Sequence, residues 1–268
     1  MRLSHGKWLL PVYSGLALLF LMIPIGYTFV YSFNDSQKSN ITWQGFTLDK
    51  WFNVCNVQNG AVCQAFGNSL FIGAVATVLA TTLGTMIAIA IVRYRFKFRS
   101  QTSLLLFLPM ATPEVVLGAG LAAQFLSVGV PKDMLTIILA HTMFCISFVV
   151  VTVKARVASL DPALEEAGRD LYGSAAQVFA RITFPLLLPG ILAAALLSFA
   201  LSFDDFIITN FNSGAVSTFP KYIYISAARG IPAEANVLAS AVFIIAIIVV
   251  VTVQVSGAAK ARRLAKLS

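Results

Sequence analysis

Six long runs that hold at most one charged side chain each constrain this chain more than any motif in it. Trp8–Asn34, Gln64–Val92, Met134–Val153, Ile182–Phe203 and Ala235–Ala259 carry none, and Ser100–Pro131 carries Glu114. A hydrocarbon core takes about 20 helical residues to cross. Backbone amides in lipid must pair within their own segment, and the alternation of barrel strands is absent, so the runs read as helices. The expected fold is an all-α polytopic membrane protein, one transmembrane domain over residues 1–268, with spans near 8–33, 67–92, 103–128, 134–153, 185–209 and 236–256. Composition agrees: 11% of residues are charged, against roughly 25% in soluble domains.

Six helices fix the side of every loop, and the basic residues then orient the whole. Arg2, Lys7, Arg93, Arg95, Lys97, Arg99, Lys154, Arg156, Arg169, Arg181, Lys260, Arg262, Arg263 and Lys266 share one face, while Lys38, Lys50, Lys132, Lys221 and Arg229 share the other. The positive-inside rule places both termini in the cytoplasm. The net charge of +8 thus reflects topology and anionic lipid, and no nucleic-acid partner is expected. The first apolar run is too long for a signal peptide and lacks a small-residue cleavage site, so it reads as an uncleaved span.

The loop between the fourth and fifth runs, residues 159–184, is helical in pattern and charged. Asp161-Pro162 supplies an N-cap and a first-turn proline. A short helix follows to about Tyr172, with Gly173 expected in the left-handed conformation that closes it. Ser174 and Gln177 fit a capping box that opens a second short helix reaching Thr183. The result is a small knob, with Glu165, Glu166, Arg169 and Asp170 available for charge pairing and Val178 and Phe179 for an apolar pocket. Such a piece suits helix-in-groove recognition; a solvated linker is the plainer alternative.

"EEAGRDLYGSAAQVFARITFPLLLPG" resembles the EAA loop of ABC-importer permeases, with Glu166, Ala167, Ile182 and Pro185 matching in identity and spacing. Two positions depart: the third alanine is Gly168, and the family glycine is Tyr172, with Gly173 one residue later. "LPMATPEVV", "LAHTMFCISFVVV" and "LSFALSFDDFIITNF" are similar to permease subunits of spermidine/putrescine importers. The resemblance implies a MetI-like type I ABC importer permease of the bacterial plasma membrane. It further implies a coupling loop, with Glu165, Glu166, Ala167, Gly168, Asp170, Gly173, Phe179 and Pro185, seated on a cytoplasmic ATPase. Two ATPase subunits, a second and different permease chain and an external solute-binding protein complete the assembly. ATP and Mg would sit on the ATPase; this chain has no G-x-x-x-x-G-K-[ST] and is expected to bind no cofactor and no metal itself.

Glu114, Asp204 and Asp205 lie inside predicted spans, where ionisable groups mark a pathway or a paired structural site. Along straight helices, Glu114 lies about 20 Å beyond Arg99 and Asp204 about 25 Å beyond Leu187. The three carboxylates suit a di- or polycation if both spans face one cavity; solvation at the outer interface is the alternative. His141 reads as a hydrogen-bonded packing residue. Cys145 reads as a buried thiol, and Cys55 and Cys63 share the first external loop, either bridged or free.

Three functions compete on these residues. A polyamine import permease accounts for the coupling loop and the acids; another small solute in the same importer class is compatible with both. A secondary transporter or channel would have the spans and acids but no use for the loop. An intramembrane hydrolase lacks its groups: Asp204 and Asp205 are adjacent rather than on facing helices, His5 lies outside the spans, and no H-E-x-x-H exists, so no catalytic residue is expected.

Overall fold

The computed structural model describes residues 6–36, 42–56, 60–228 and 230–265. Arg2, His5, Lys38, Arg229 and Lys266 lie outside these residues. Twelve α-helices and one π-helical segment account for nearly all secondary structure among them, with one isolated β-bridge between Asn34 and Phe46. Five helices are long and apolar enough to cross a membrane, or six if one bent pair counts as a single span. The chain divides into two compact units, residues 1–63 with 223–268, and residues 64–222.

In the first unit, α1 (Gly6–Tyr31) packs on α12 (Ala233–Ala265). The loop after α1 folds on its own aromatics: Phe33 stacks on Phe46 and on Trp51, each at 5.5 Å, and Tyr31 meets Trp43 edge-on. Asn34, fully buried, uses its amide as a surrogate strand edge, donating to the Thr42 carbonyl and accepting from the Gln44 amide. From α2 (Asp49–Phe52), Lys50 reaches Glu234 at the start of α12, Nζ to Oε1 2.9 Å. Cys55 and Cys63 are joined in a disulfide that ties the end of this loop to the first turn of α3 (Gly60–Arg93).

The second unit is organised around α6 (Met134–Ala158), whose residues Ala140, Phe144, Cys145, Val149, Val150 and Val153 form the centre of the core. Asp133 caps it with a full capping box to Thr136, so the helix starts where the sequence turns apolar. Against α6 lies α9 (Phe184–Asp204).

Two predicted spans differ from straight crossings. Residues 103–128 form α4 (Arg99–Ala111) and α5 (Glu114–Ser127), bent by 108°. Pro113 disfavours helical dihedrals at the residue before it. Thr112 is accordingly extended (φ −80°, ψ 134°), and its amide and hydroxyl both close α4 on the Leu108 carbonyl. Depth counted along a straight helix from Arg99 therefore does not apply to Glu114. Residues 185–209 divide as well: α9 stops at Asp204, Asp205 is extended (φ −66°, ψ 124°), and α10 (Ile207–Asn212) starts afresh.

Candidate functional site

Residues 161–178 build an elbow of two short helices. Asp161 Oδ1 accepts the Ala163 amide at 2.9 Å and opens α7 (Ala163–Asp170). At its end the Tyr172 amide bonds the Arg169 carbonyl and the Gly173 amide bonds the Gly168 carbonyl. These are the paired bonds of a Schellman termination, whose left-handed residue is the one before the last donor. That residue is Tyr172, at φ 59°. The expectation that Gly173 would be left-handed is thus corrected. The bond pattern sets the left-handed position at 172, where the resembled family has glycine, and the tyrosine side chain is 99% exposed and meets nothing.

Gly173 is required for a different reason. A Cβ there would stand 2.6 Å from the Gly168 carbonyl oxygen, and a Cβ on Gly168 would stand 2.6 Å from Ile182 Cδ1 and 3.2 Å from Val178 Cγ2. The two glycines let α7 close on the segment that follows. Ser174 and Gln177 form the reciprocal capping box at the head of α8 (Ala175–Val178).

The second helix of the elbow does not end at Thr183. It runs through a π-helical segment, Phe179–Thr183, into α9, so that Ala175–Asp204 is one apolar helix of 30 residues. Pro185 explains the widened turn: it has no amide for the 181 carbonyl and its ring crowds that carbonyl. A local shift to wider bonding, with the Phe184 amide on the Phe179 carbonyl, accommodates both.

The predicted coupling residues fall into two sets. Glu166, Ala167 and Asp170 are exposed, Phe179 is 42% exposed, and Pro185 faces outward at the start of α9. Gly168, Gly173 and Val178 form the elbow's own interior, so Val178 is not available to a partner's pocket. Leu171, 82% exposed, and Tyr172 supply the outward apolar surface instead. Glu165 also turns inward, pairing with Arg93 at the end of α3, Oε1 to Nη2 3.1 Å. Sequence spacing misses this contact because the partners lie 72 residues apart, from 93 to 165.

The three predicted pathway acids meet in one cavity of about 540 Å³, lined by Glu114, Asp204 and Asp205 together with Phe144, Leu201 and Ile207. Glu114, at the head of α5, and Asp204, the last residue of α9, are exposed to it. Asp205 is different. Its Oδ2 accepts the Thr209 amide at 2.8 Å and faces His141 Nε2 at 3.1 Å, and its Oδ1 faces the Ile208 amide at 3.3 Å. Its side chain is 5% exposed. His141 is buried in α6, as a hydrogen-bonded packing residue should be, with Ser202 Oγ 2.7 Å from Nδ1 and Thr209 Oγ1 3.0 Å from Nε2.

The family described as "Binding-protein-dependent transport system inner membrane component" matches residues 80–264, more than half of the chain. This chain belongs to that family. It is a multi-pass membrane permease. It is 33% identical over 254 residues to the spermidine/putrescine transport system permease protein PotC of Escherichia coli K12, covering 94% of this chain and 93% of the relative. Against the putrescine transport system permease protein PotI of the same strain, identity is 36% over 233 residues, covering 84% and 82%. In fold the permease is similar to a chain of a bacterial ABC transporter that imports the acidic polysaccharide alginate: TM-score 0.67, 17% identity, 95% and 97% covered. It is similar as well to a chain of the MetNI methionine ABC transporter: TM-score 0.59, 16% identity, 75% and 95% covered.

Proposed function

We propose that this chain is the polyamine-conducting permease subunit of an ATP-driven importer, with both termini in the cytoplasm. The observation that carries the substrate class is the cavity in which Glu114 and Asp204 present two exposed carboxylates from different helices. Two fixed negative charges in a membrane-embedded cavity favour a cation with separated ammonium groups. Relatives named for spermidine and putrescine transport support the same class.

The elbow is the proposed seat of the ATPase. Glu166, Asp170, Leu171 and Tyr172 form a small charged and apolar tip of the kind that docks in a groove. Glu165 serves the other direction: its pair with Arg93 links the elbow to α3, so a displacement of the tip pulls on a membrane helix. Two ATPase subunits, a second permease of different sequence and an external binding protein complete the proposed assembly, and ATP with Mg acts on the ATPases.

Uptake of labelled spermidine and putrescine by cells lacking their own polyamine importers, supplied with the whole transporter, tests the substrate class. Energy-dependent uptake that unlabelled polyamine competes away is the expected result. Uptake unchanged by both Glu114→Gln and Asp204→Asn would remove the acidic-cavity account.

A further inference from the structure

Asp205 lines the cavity, yet its carboxylate is already committed. Both oxygens face main-chain amides of α10, and one of them also faces the His141 ring. A carboxylate acting only as acceptor requires the hydrogen on Nε2, and Nδ1 lies 2.7 Å from the Ser202 hydroxyl. His141 is therefore held from α9 on one side and holds Asp205 on the other.

Asp205 is also the point at which α9 stops and α10 starts, and α10 is fastened further along. The fully buried Asn212 donates from Nδ2 to the Gly118 carbonyl in α5 at 3.1 Å, and its own carbonyl accepts the Thr136 hydroxyl of α6 at 2.8 Å. Gly118 lies one turn beyond Glu114 on α5. A hydrogen-bonded path thus runs from His141 through Asp205 and α10 to the helix that carries Glu114.

We propose that His141 is a positioning residue: through Asp205 it fixes α10, and through Asn212 it sets the spacing between Glu114 and Asp204, the two acids that contact the imported cation. The adjacent aspartates then have separate tasks. Asp204 meets the cation, and Asp205 holds the break in the helix. This division rests on the polyamine-pathway reading only for its uptake arm; the structural arm is independent of the solute.

The test uses the assembled transporter in membrane vesicles, with a cysteine placed at the fully buried Ser213 that ends α10, reached only when α10 loosens, and a water-soluble maleimide as probe. His141→Leu and Asp205→Asn should each speed labelling about tenfold, the scale set by losing one charge-assisted buried hydrogen bond. The double variant should label no faster than either single one. His141→Gln, which keeps a donor near the Nε2 position, should label close to wild type. Asp204→Asn should lower uptake while labelling as wild type does. Wild-type labelling in His141→Leu, or Asp204→Asn labelling as fast as Asp205→Asn, would overturn the division. Should His141→Leu not assemble, Ser202→Ala decides on the same readout: faster labelling supports the path and an unchanged rate refutes it. Loss of polyamine uptake in the wild type with these labelling differences intact would count against the solute alone.

Discussion

The elbow and the acidic cavity are built by opposite means. The turns and caps of the elbow come from residues close in sequence: Asp161 opens it, Tyr172 turns it, Gly168 and Gly173 close it, and Ser174 with Gln177 restarts the chain. The cavity draws on Glu114, His141 and Asp205, brought together by two helix breaks and by packing on α6. A surface that must present charge to another protein can be specified locally. A buried charge such as Asp205 needs a fixed partner for each of its oxygens, and one of those partners, His141, comes from 64 positions away.

The difference can be broken at the elbow first. Gly173→Val places methyl groups against the Gly168 carbonyl, a backbone atom that cannot swing away. Overpacking of this kind costs about 1–3 kcal/mol, and uptake should fall to about a tenth or less, with ATPase lost from the purified complex. At the cavity, Glu114→Gln or Asp204→Asn should lower uptake about tenfold, the range of one charge-assisted interaction. Here ATPase should remain bound, and its loss would blur the separation of the two regions.

The Arg93–Glu165 pair joins elbow to membrane helix, and its side chains are 18% and 21% exposed. Part of its attraction is screened, so Arg93→Glu should reduce coupled uptake only by about fivefold or less. The reversed pair Arg93→Glu/Glu165→Arg should recover most of the loss, which uptake assays on the three variants would measure. The smallest effect belongs to Tyr172→Gly. It removes left-handed strain of about 1 kcal/mol, so the thermal midpoint of the purified complex should hold or rise slightly, while loss of the ring from the proposed tip should weaken ATPase affinity modestly.

The helical character of the apolar runs and the elbow's caps were legible in the sequence, because each follows from charge-free length or from residues a few positions apart; the fifth helix, read as 185–209, instead runs Ala175–Asp204. The left-handed residue was misplaced by one: glycine propensity pointed to 173, while the bond pattern of the helix end, which no propensity contains, selected 172. The 108° bend was only half legible. Pro109 and Pro113 announce a weakened helix, but packing decides how far it turns. The different surroundings of Asp204 and Asp205 were not legible, since they depend on the break after Asp204 that turns the α10 amides onto Asp205, and on His141, which sits 64 positions away and reads alone as an ordinary buried histidine.

The exposed face of the elbow is the proposed seat of the ATPase. Its most direct test is purification of the complex from native membranes in mild detergent, wild type beside Glu166→Arg, with ATPase activity assayed in each eluate. Wild type should bring down ATPase activity that loaded binding protein stimulates, and Glu166→Arg should lose it while the second permease still co-purifies. Equal, fully stimulated activity from Glu166→Arg would contradict the claim.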